Sequence, residues 1–281
     1  FSFSYLPPPS IPLTVLPADK LITHENSVMV QGEIKDAHIK QISVNGQAIS
    51  VANHKFSQEV SLMLGKNTIL VQGLDNKGKV LREKKIRVLR LIKFNDVADD
   101  YWSRGAIEQL GTLNIMPGYN DGNFQPEKLV PRVDYLMSLL NIGKIPPATE
   151  LTPYPFRDIQ PTEKIAPYVK AGHDKKMVKG YPDKTFRPWK LLNRVEGALM
   201  TVRFSQIKLS DVLERPYLDV PARYWAIKEI TAAKEHSMLQ FALEYLYPRK
   251  ELPRAELASM IAYVPMVRLQ IDDLMSFDIG Y

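Results

Sequence analysis

At 281 residues the chain is too long for one small repeat array alone and leaves room for a separate domain ahead of it. It has no cysteine, which excludes disulfides, iron–sulfur clusters and thiol nucleophiles, and no apolar run of about 18 residues, which excludes a membrane-spanning helix. The net charge of +6 is uneven: through Lys93 there are 13 Lys and Arg against 7 Asp and Glu, whereas the remainder carries 24 of each.

The chain opens at Phe1 with no Met and no basic, apolar signal region, and reads as a processed or truncated product. Residues 1–18 hold Pro7-Pro8-Pro9, Pro12 and Pro17, the composition of an extended, polyproline-like lead. Simple disorder is the first expectation for this lead; the alternative is docking in a partner's groove, with Phe1, Phe3, Tyr5 and Leu6 as apolar anchors ahead of the stiff segment.

Residues 19–93 alternate at period two: Val28-x-Val30, Ile42-x-Val44, Ile49-x-Val51, Val60-x-Leu62, Ile69-x-Val71 and Ile86-x-Val88. Asn45-Gly46 and Asn76-x-Gly78 mark tight hairpins, so the segment is predicted to be a small all-β sandwich. The order Val44-Asn45-Gly46, Phe56, Leu64-Gly65-Lys66-Asn67 and Asp75-Asn76-Lys77-Gly78 resembles bacterial immunoglobulin-like domains, which implies a spacer or docking role. Its basic surplus gathers in Lys77, Lys79, Arg82, Lys84, Lys85, Arg87, Arg90 and Lys93, and is expected to be the solvated face of an edge strand. No aromatic platform is interleaved with these cations, so nucleic acid is not an expected partner.

From residue 94 onward one phrase recurs in diverged form. Phe94-Asn95-Asp96-Val97, Phe156-Arg157-Asp158-Ile159 and Tyr217-Leu218-Asp219-Val220 each open a unit. Counted from the Asp, a Pro follows 30, 30 and 29 residues on at Pro126, Pro188 and Pro248, and an Arg 36, 36 and 35 residues on at Arg132, Arg194 and Arg254. A fixed period of about 60 residues is the mark of one supersecondary unit stacked on copies of itself. Apolar residues at helical spacing, such as Ala106, Ile107, Leu110 and Leu113, predict helix, loop, helix within each unit.

Gly118-Tyr119-Asn120-Asp121-Gly122-Asn123-Phe124-x-Pro126 with Arg132-Val133-Asp134, and Gly180-Tyr181-Pro182-Asp183-Lys184-Thr185-Phe186-x-Pro188 with Asn193-Arg194-Val195-Glu196, resemble the surface-layer homology (SLH) repeat. The resemblance covers residues 94–265 and implies a mainly α, pseudo-threefold bundle behind the sandwich. The expected organisation is a lead at 1–18, a sandwich at 19–93, repeats at 94–150, 151–212 and 213–265, and a tail at 266–281 whose apolar residues pair with a partner or fold back on the bundle. It also implies a non-catalytic, extracytoplasmic protein of the cell envelope or cell surface. Its repeats would bind pyruvylated wall polysaccharide linked to peptidoglycan, or, in the alternative, serve as a rigid subunit making protein contacts in an envelope assembly.

Departures bear on that choice. The family's Thr-Arg-Ala-Glu reads Pro131-Arg132-Val133-Asp134, Asn193-Arg194-Val195-Glu196 and Pro253-Arg254-Ala255-Glu256, with the Thr gone each time. In the third repeat Phe241-Ala242-Leu243-Glu244-Tyr245 stands where the glycine loop is expected. Arg132, Arg194 and Arg254 are candidates for binding a ketal carboxylate through the planar guanidinium fork, or else for locking a helix with the acid two residues on. Backbone amides around Gly118 and Gly180 are candidates for cradling an anion. Trp102 and Trp225, each six residues after its Asp, are read first as core and second as stacking partners for a sugar ring. Asp96, Asp158 and Asp219 are read as helix N-caps, and Asp121 and Asp183 as turn-stabilising residues with cation binding as the alternative; Asp121 and Asp183 also stand among the candidate polysaccharide contacts.

Nothing points to catalysis: neither Gly-x-Ser-x-Gly nor a phosphate loop occurs, and the adjacent Asp99 and Asp100 do not face one another. His24, His38, His54, His173 and His236 have no paired metal spacing, so no metal and no cofactor is expected.

Overall fold

A computed structural model describes residues 13–212, 214–278 and 280–281. Nearly all of the Pro-rich lead, including its apolar anchors, lies outside the described residues. The chain divides into two compact units, one of residues up to Ile92 together with Asp273–Tyr281, the other Lys93–Asp272.

The first unit is a two-sheet β-sandwich. Its strands are β1 (Thr14–Leu16), β2 (Leu21–Thr23), β3 (Ser27–Glu33), β4 (Gln41–Val44), β5 (Gln47–Ile49), β6 (Lys55–Ser61), β7 (Gly65–Leu74) and β8 (Val80–Arg90). One sheet runs β1-β3-β6 and the other β2-β8-β7-β4-β5, with β2 parallel to β8 and the remaining pairs antiparallel. The period-two residues face inward as the pattern demands: Val30, Ile42, Val71, Ile86 and Val88 are fully buried. Asn45 and Gly46, with φ of 51° and 80°, close the β4–β5 hairpin in the left-handed conformations its tight turn needs.

The basic strand is not a free edge along its whole length. β8 lies between β2 and β7, but β2 covers only Val88–Arg90, so among the described residues Val80–Arg87 is open on one side. Several of its cations have partners: Arg87 grips Asp19 and the Phe277 carbonyl, and Lys85 donates to the Tyr281 carbonyl. The last residues therefore fold back on the sandwich, with Phe277 stacked on Tyr281 and Lys66 over the Tyr281 ring.

The second unit holds three helix pairs: α1 (Arg104–Thr112) and α2 (Arg132–Ile142), α3 (Ala166–Asp174) and α4 (Arg194–Phe204), α5 (Ile227–Glu235) and α6 (Arg254–Ala262). A last helix, α7 (Pro265–Met275), follows. The first helix of each pair packs on the second helix of the preceding repeat, α3 on α2, α5 on α4 and α1 on α6, so the array closes into a ring. Close approach needs small residues at these crossings: a Cβ on Gly172 would stand 2.6 Å from Leu136.

Main-chain hydrogen bonds close the same ring. Leu192 N donates to Val130 O (2.9 Å), Leu252 N to Leu192 O (2.8 Å) and Val130 N to Leu252 O (3.3 Å). The recurrent prolines have a job at the joints: Val133 N, Val195 N and Ala255 N donate to the carbonyls of Pro188, Pro248 and Pro126, each in the next repeat around. These bonds satisfy amides that a helix N-terminus leaves unpaired, which explains how Pro131 and Pro253 serve as N-caps without a capping side chain.

Asp96, Asp158 and Asp219 are not N-caps. The caps of α1, α3 and α5 are Ser103, Ile165 and Ala226. Each Asp carboxylate instead accepts two amides from the far end of its own repeat: Asp96 from Phe124 and Gln125, Asp158 from Phe186 and Arg187, Asp219 from Leu246 and Tyr247, all at 2.7–2.9 Å. The residue before each Pro, Gln125, Arg187 or Tyr247, has φ of 52–57°. The carboxylate thus clamps a strained loop shut. Replacing Asp158 by Ala is expected to cost about 3 kcal/mol, more than a lost cap, because two charge-assisted bonds go at once. Chemical denaturation of the native and variant chains measures it.

Candidate functional site

Each recurrent arginine is the first residue of its repeat's second helix, and its side chain lies across the loop of the next repeat. Three grooves result. Arg132 reaches the Gly180 loop, donating to the Lys179 carbonyl at 2.7 Å with its guanidinium 4.9 Å from the Phe186 ring. Arg254 reaches the Gly118 loop, donating to the carbonyls of Phe124 and Pro117. Arg194 reaches the third repeat, donating to the Leu246 carbonyl at 2.7 Å.

The grooves differ in what is left over. Arg132 is 6% exposed, and its buried Nε makes no hydrogen bond. It borders a cavity of about 390 Å³ lined also by Gly180, Tyr181, Glu196, Arg203 and Trp225. Burial pushes the Arg132 guanidinium below its ordinary value. The Tyr181 hydroxyl and Lys190 Nζ (2.7 Å) both donate to Glu196. Burial opposes the charge on Glu196, yet these donors outweigh it and hold the carboxyl below its usual 4.5. Arg194, by contrast, is already paired with Glu256, through Nε at 2.7 Å and Nη2 at 2.5 Å. The acid that fixes Arg194 therefore comes from the next repeat, not from two residues further along the same helix.

Trp102 and Trp225 are 50% and 66% exposed, so neither is core. Trp225 lines the Arg132 cavity, and Trp102 stands edge-on to Phe241 at 6.4 Å beside the Arg194 groove. Gly118 and Gly180 are needed for packing: a Cβ there would meet the Phe94 or Phe156 ring at 2.4 or 2.5 Å. The loop amides of Tyr119, Gly122, Tyr181 and Lys184 donate within their own loops. Asp121 and Asp183 accept the amides two residues on, from Asn123 and Thr185, the turn-stabilising geometry expected of them. The Thr185 hydroxyl first, and then the Arg187 guanidinium, hold the Asp183 carboxyl down at about 2.

The third loop is in a different register from the one its sequence first gives. Gln240–Pro248 superimposes in role on Gly118–Pro126 and Gly180–Pro188 without a gap, because Glu244 O, Gly122 O and Lys184 O accept the equivalent amides of Leu218, Asn95 and Arg157. Phe241, not Ala242, therefore occupies the tyrosine position. The nine residues ending in each Pro carry this alignment in the sequence itself.

A closed ring of three helix pairs, with arginine-lined grooves where the repeats meet, makes up the second unit. The comparisons with known proteins agree: the S-layer homology domain family matches residues 93–132 and 155–196, and Glucodextranase, domain B, matches residues 9–90. The chain therefore carries S-layer homology repeats. A cellulosome-anchoring protein of Acetivibrio thermocellus is 32% identical over 143 residues, 50% of this chain and 32% of that protein. A surface layer protein of Brevibacillus choshinensis is 25% identical over 99 residues, 34% of this chain and 9% of its own length. The fibronectin(III)-like modules of Clostridium thermocellum CbhA align with 28% of this chain and 94% of theirs, at 13% identity and a TM-score of 0.23. The matches thus span a third or less of those curated relatives.

Because the folded Glu196 carboxyl titrates below its usual value, the unfolded chain binds its proton more readily, and the stability it adds is present above pH 4.5 and lost as pH falls through the folded value. Glu196→Gln is expected to lack this contribution. The stability gap between native and variant should shrink between about pH 6 and about pH 3 in thermal unfolding scans.

Proposed function

We propose that this chain is a non-catalytic anchor of the cell envelope, located outside the cytoplasm, whose SLH repeats bind an acidic, pyruvylated polysaccharide linked to peptidoglycan. The observation that carries the reading is the Arg132 cavity, about 390 Å³ of space bordered by a guanidinium and an exposed indole. A ketal carboxylate is a planar acceptor that the guanidinium fork matches. Trp225 offers the apolar face of a pyranose a flat partner at the rim. The names of the similar proteins, a cellulosome-anchoring protein and a surface layer protein, support the same role.

One observation favours a second reading, a rigid subunit of an envelope assembly. The third repeat exposes Leu243 (85%), Tyr247 (58%) and Tyr245, with the two tyrosines stacked at 5.8 Å, a face suited to protein contact.

Sedimentation with peptidoglycan sacculi, intact or stripped of attached polymer, tests the choice. Binding should require the polymer, and Arg132→Ala and Trp225→Ala should each weaken it by about tenfold or more. Trp225 is exposed, so its variant reports on contact and not on folding. Retention of the native protein in solution with intact sacculi would sink the polysaccharide reading and leave the protein-contact one.

A further inference from the structure

The three grooves are copies built from equivalent residues, so the molecule contains its own controls. Tyr119, Tyr181 and Phe241 occupy one place, each beneath the guanidinium of the preceding repeat's arginine, at 5.1, 5.5 and 4.8 Å from the ring centre. Glu196 and Glu256 are likewise equivalent, as are Lys190 and Lys250, each pair lying 8 or 2 residues after its Pro. In the Arg132 groove the Tyr181 hydroxyl donates to Glu196 and holds it together with Lys190, and Glu196 makes no hydrogen bond to Arg132. Phe241 has no hydroxyl to offer. Glu256 turns instead onto Arg194 with two hydrogen bonds, and Lys250 lies 3.7 Å from it.

We infer that Glu256 is an internal counter-ion that occupies the Arg194 groove in place of an external carboxylate, and that one phenolic hydroxyl, present at Tyr181 and absent at Phe241, decides which groove accepts an acidic sugar. The inference rests on the reading of the Arg132 groove given above. Both partners of the Arg194–Glu256 pair are nearly sealed, with side chains 6% and 7% exposed, and the third Arg194 nitrogen, Nη1, donates to the Leu246 carbonyl. An incoming carboxylate would have to displace Glu256 and leave a buried charge without its partner, which is strongly unfavourable. The Arg132 groove asks for no such exchange, since its acid is already held elsewhere. Arg194 is thus a positioning residue for its own bundle, and the chain presents fewer acid-reading grooves than its three arginines imply.

Isothermal titration of the full chain with a monosaccharide bearing a pyruvate ketal tests this, using Phe241→Tyr, Glu256→Gln and Tyr181→Phe, with circular dichroism as the check on folding. Phe241→Tyr and Glu256→Gln are expected to add one binding site relative to the native chain. Tyr181→Phe is expected to weaken the native site by about tenfold or more, as Glu196 swings onto Arg132. Folded Phe241→Tyr and Glu256→Gln chains that both keep the native number of sites would overturn the inference. So would a native site abolished by Arg194→Ala and untouched by Tyr181→Phe. Failure of the native chain alone to bind, with a site gained in Phe241→Tyr, would remove the reading of the Arg132 groove while upholding the counter-ion role of Glu256.

Discussion

The second unit depends on a ring of three main-chain hydrogen bonds, from Val130 to Leu252, Leu252 to Leu192 and Leu192 to Val130. Every other feature of the bundle is placed by it. It sets the three short extended segments side by side, and those segments deliver Arg132, Arg194 and Arg254 to the start of α2, α4 and α6. The helix starts in turn donate to proline carbonyls of the next repeat, so each joint satisfies polar groups that would otherwise be stranded. Side chains follow the backbone: an arginine at that position can only lie across its neighbour's loop.

From this common frame the grooves diverge through single side chains. The Arg132 groove keeps a tyrosine, a glutamate and a lysine bound to one another, and so leaves its guanidinium with capacity to spare. The Arg194 groove neutralises itself. In the Arg254 groove the acid is Asp134, one methylene shorter, and Lys164 takes the sequence place that Trp102 and Trp225 hold in the other repeats. A buried arginine is poor evidence for a ligand site until its donors are accounted for, and here the accounting separates three residues that look alike in the sequence.

Much of this was legible beforehand. Period-two alternation located the sandwich, and the 60-residue recurrence of Asp, Pro and Arg located the repeats. What escaped was the partner of each recurrent residue. Local rules favour Asp158 as a cap before an apolar helix, but its acceptor atoms meet amides 28 and 29 residues away, a separation no local rule reaches. Trp102 and Trp225 fit a helical stripe by spacing, yet they precede α1 and α5 and so escape the inward face. The acid two residues after Arg254 acts on a different repeat: Glu256 bonds Arg194, while Glu196 stays with Tyr181 and Lys190 of its own repeat.

Ring closure also constrains how the bundle can be made. α1 packs on α6, and Val130 pairs with Leu252, so the first repeat lacks one of its two neighbours until the last repeat exists. An open solenoid can grow by adding units to a finished end. This array has no finished end: a chain stopped short of Leu252 leaves the first repeat's apolar face bare and two of the three joints open. Folding is therefore tied to completion of the polypeptide and governed by its most distant pairings, which are the slowest to form.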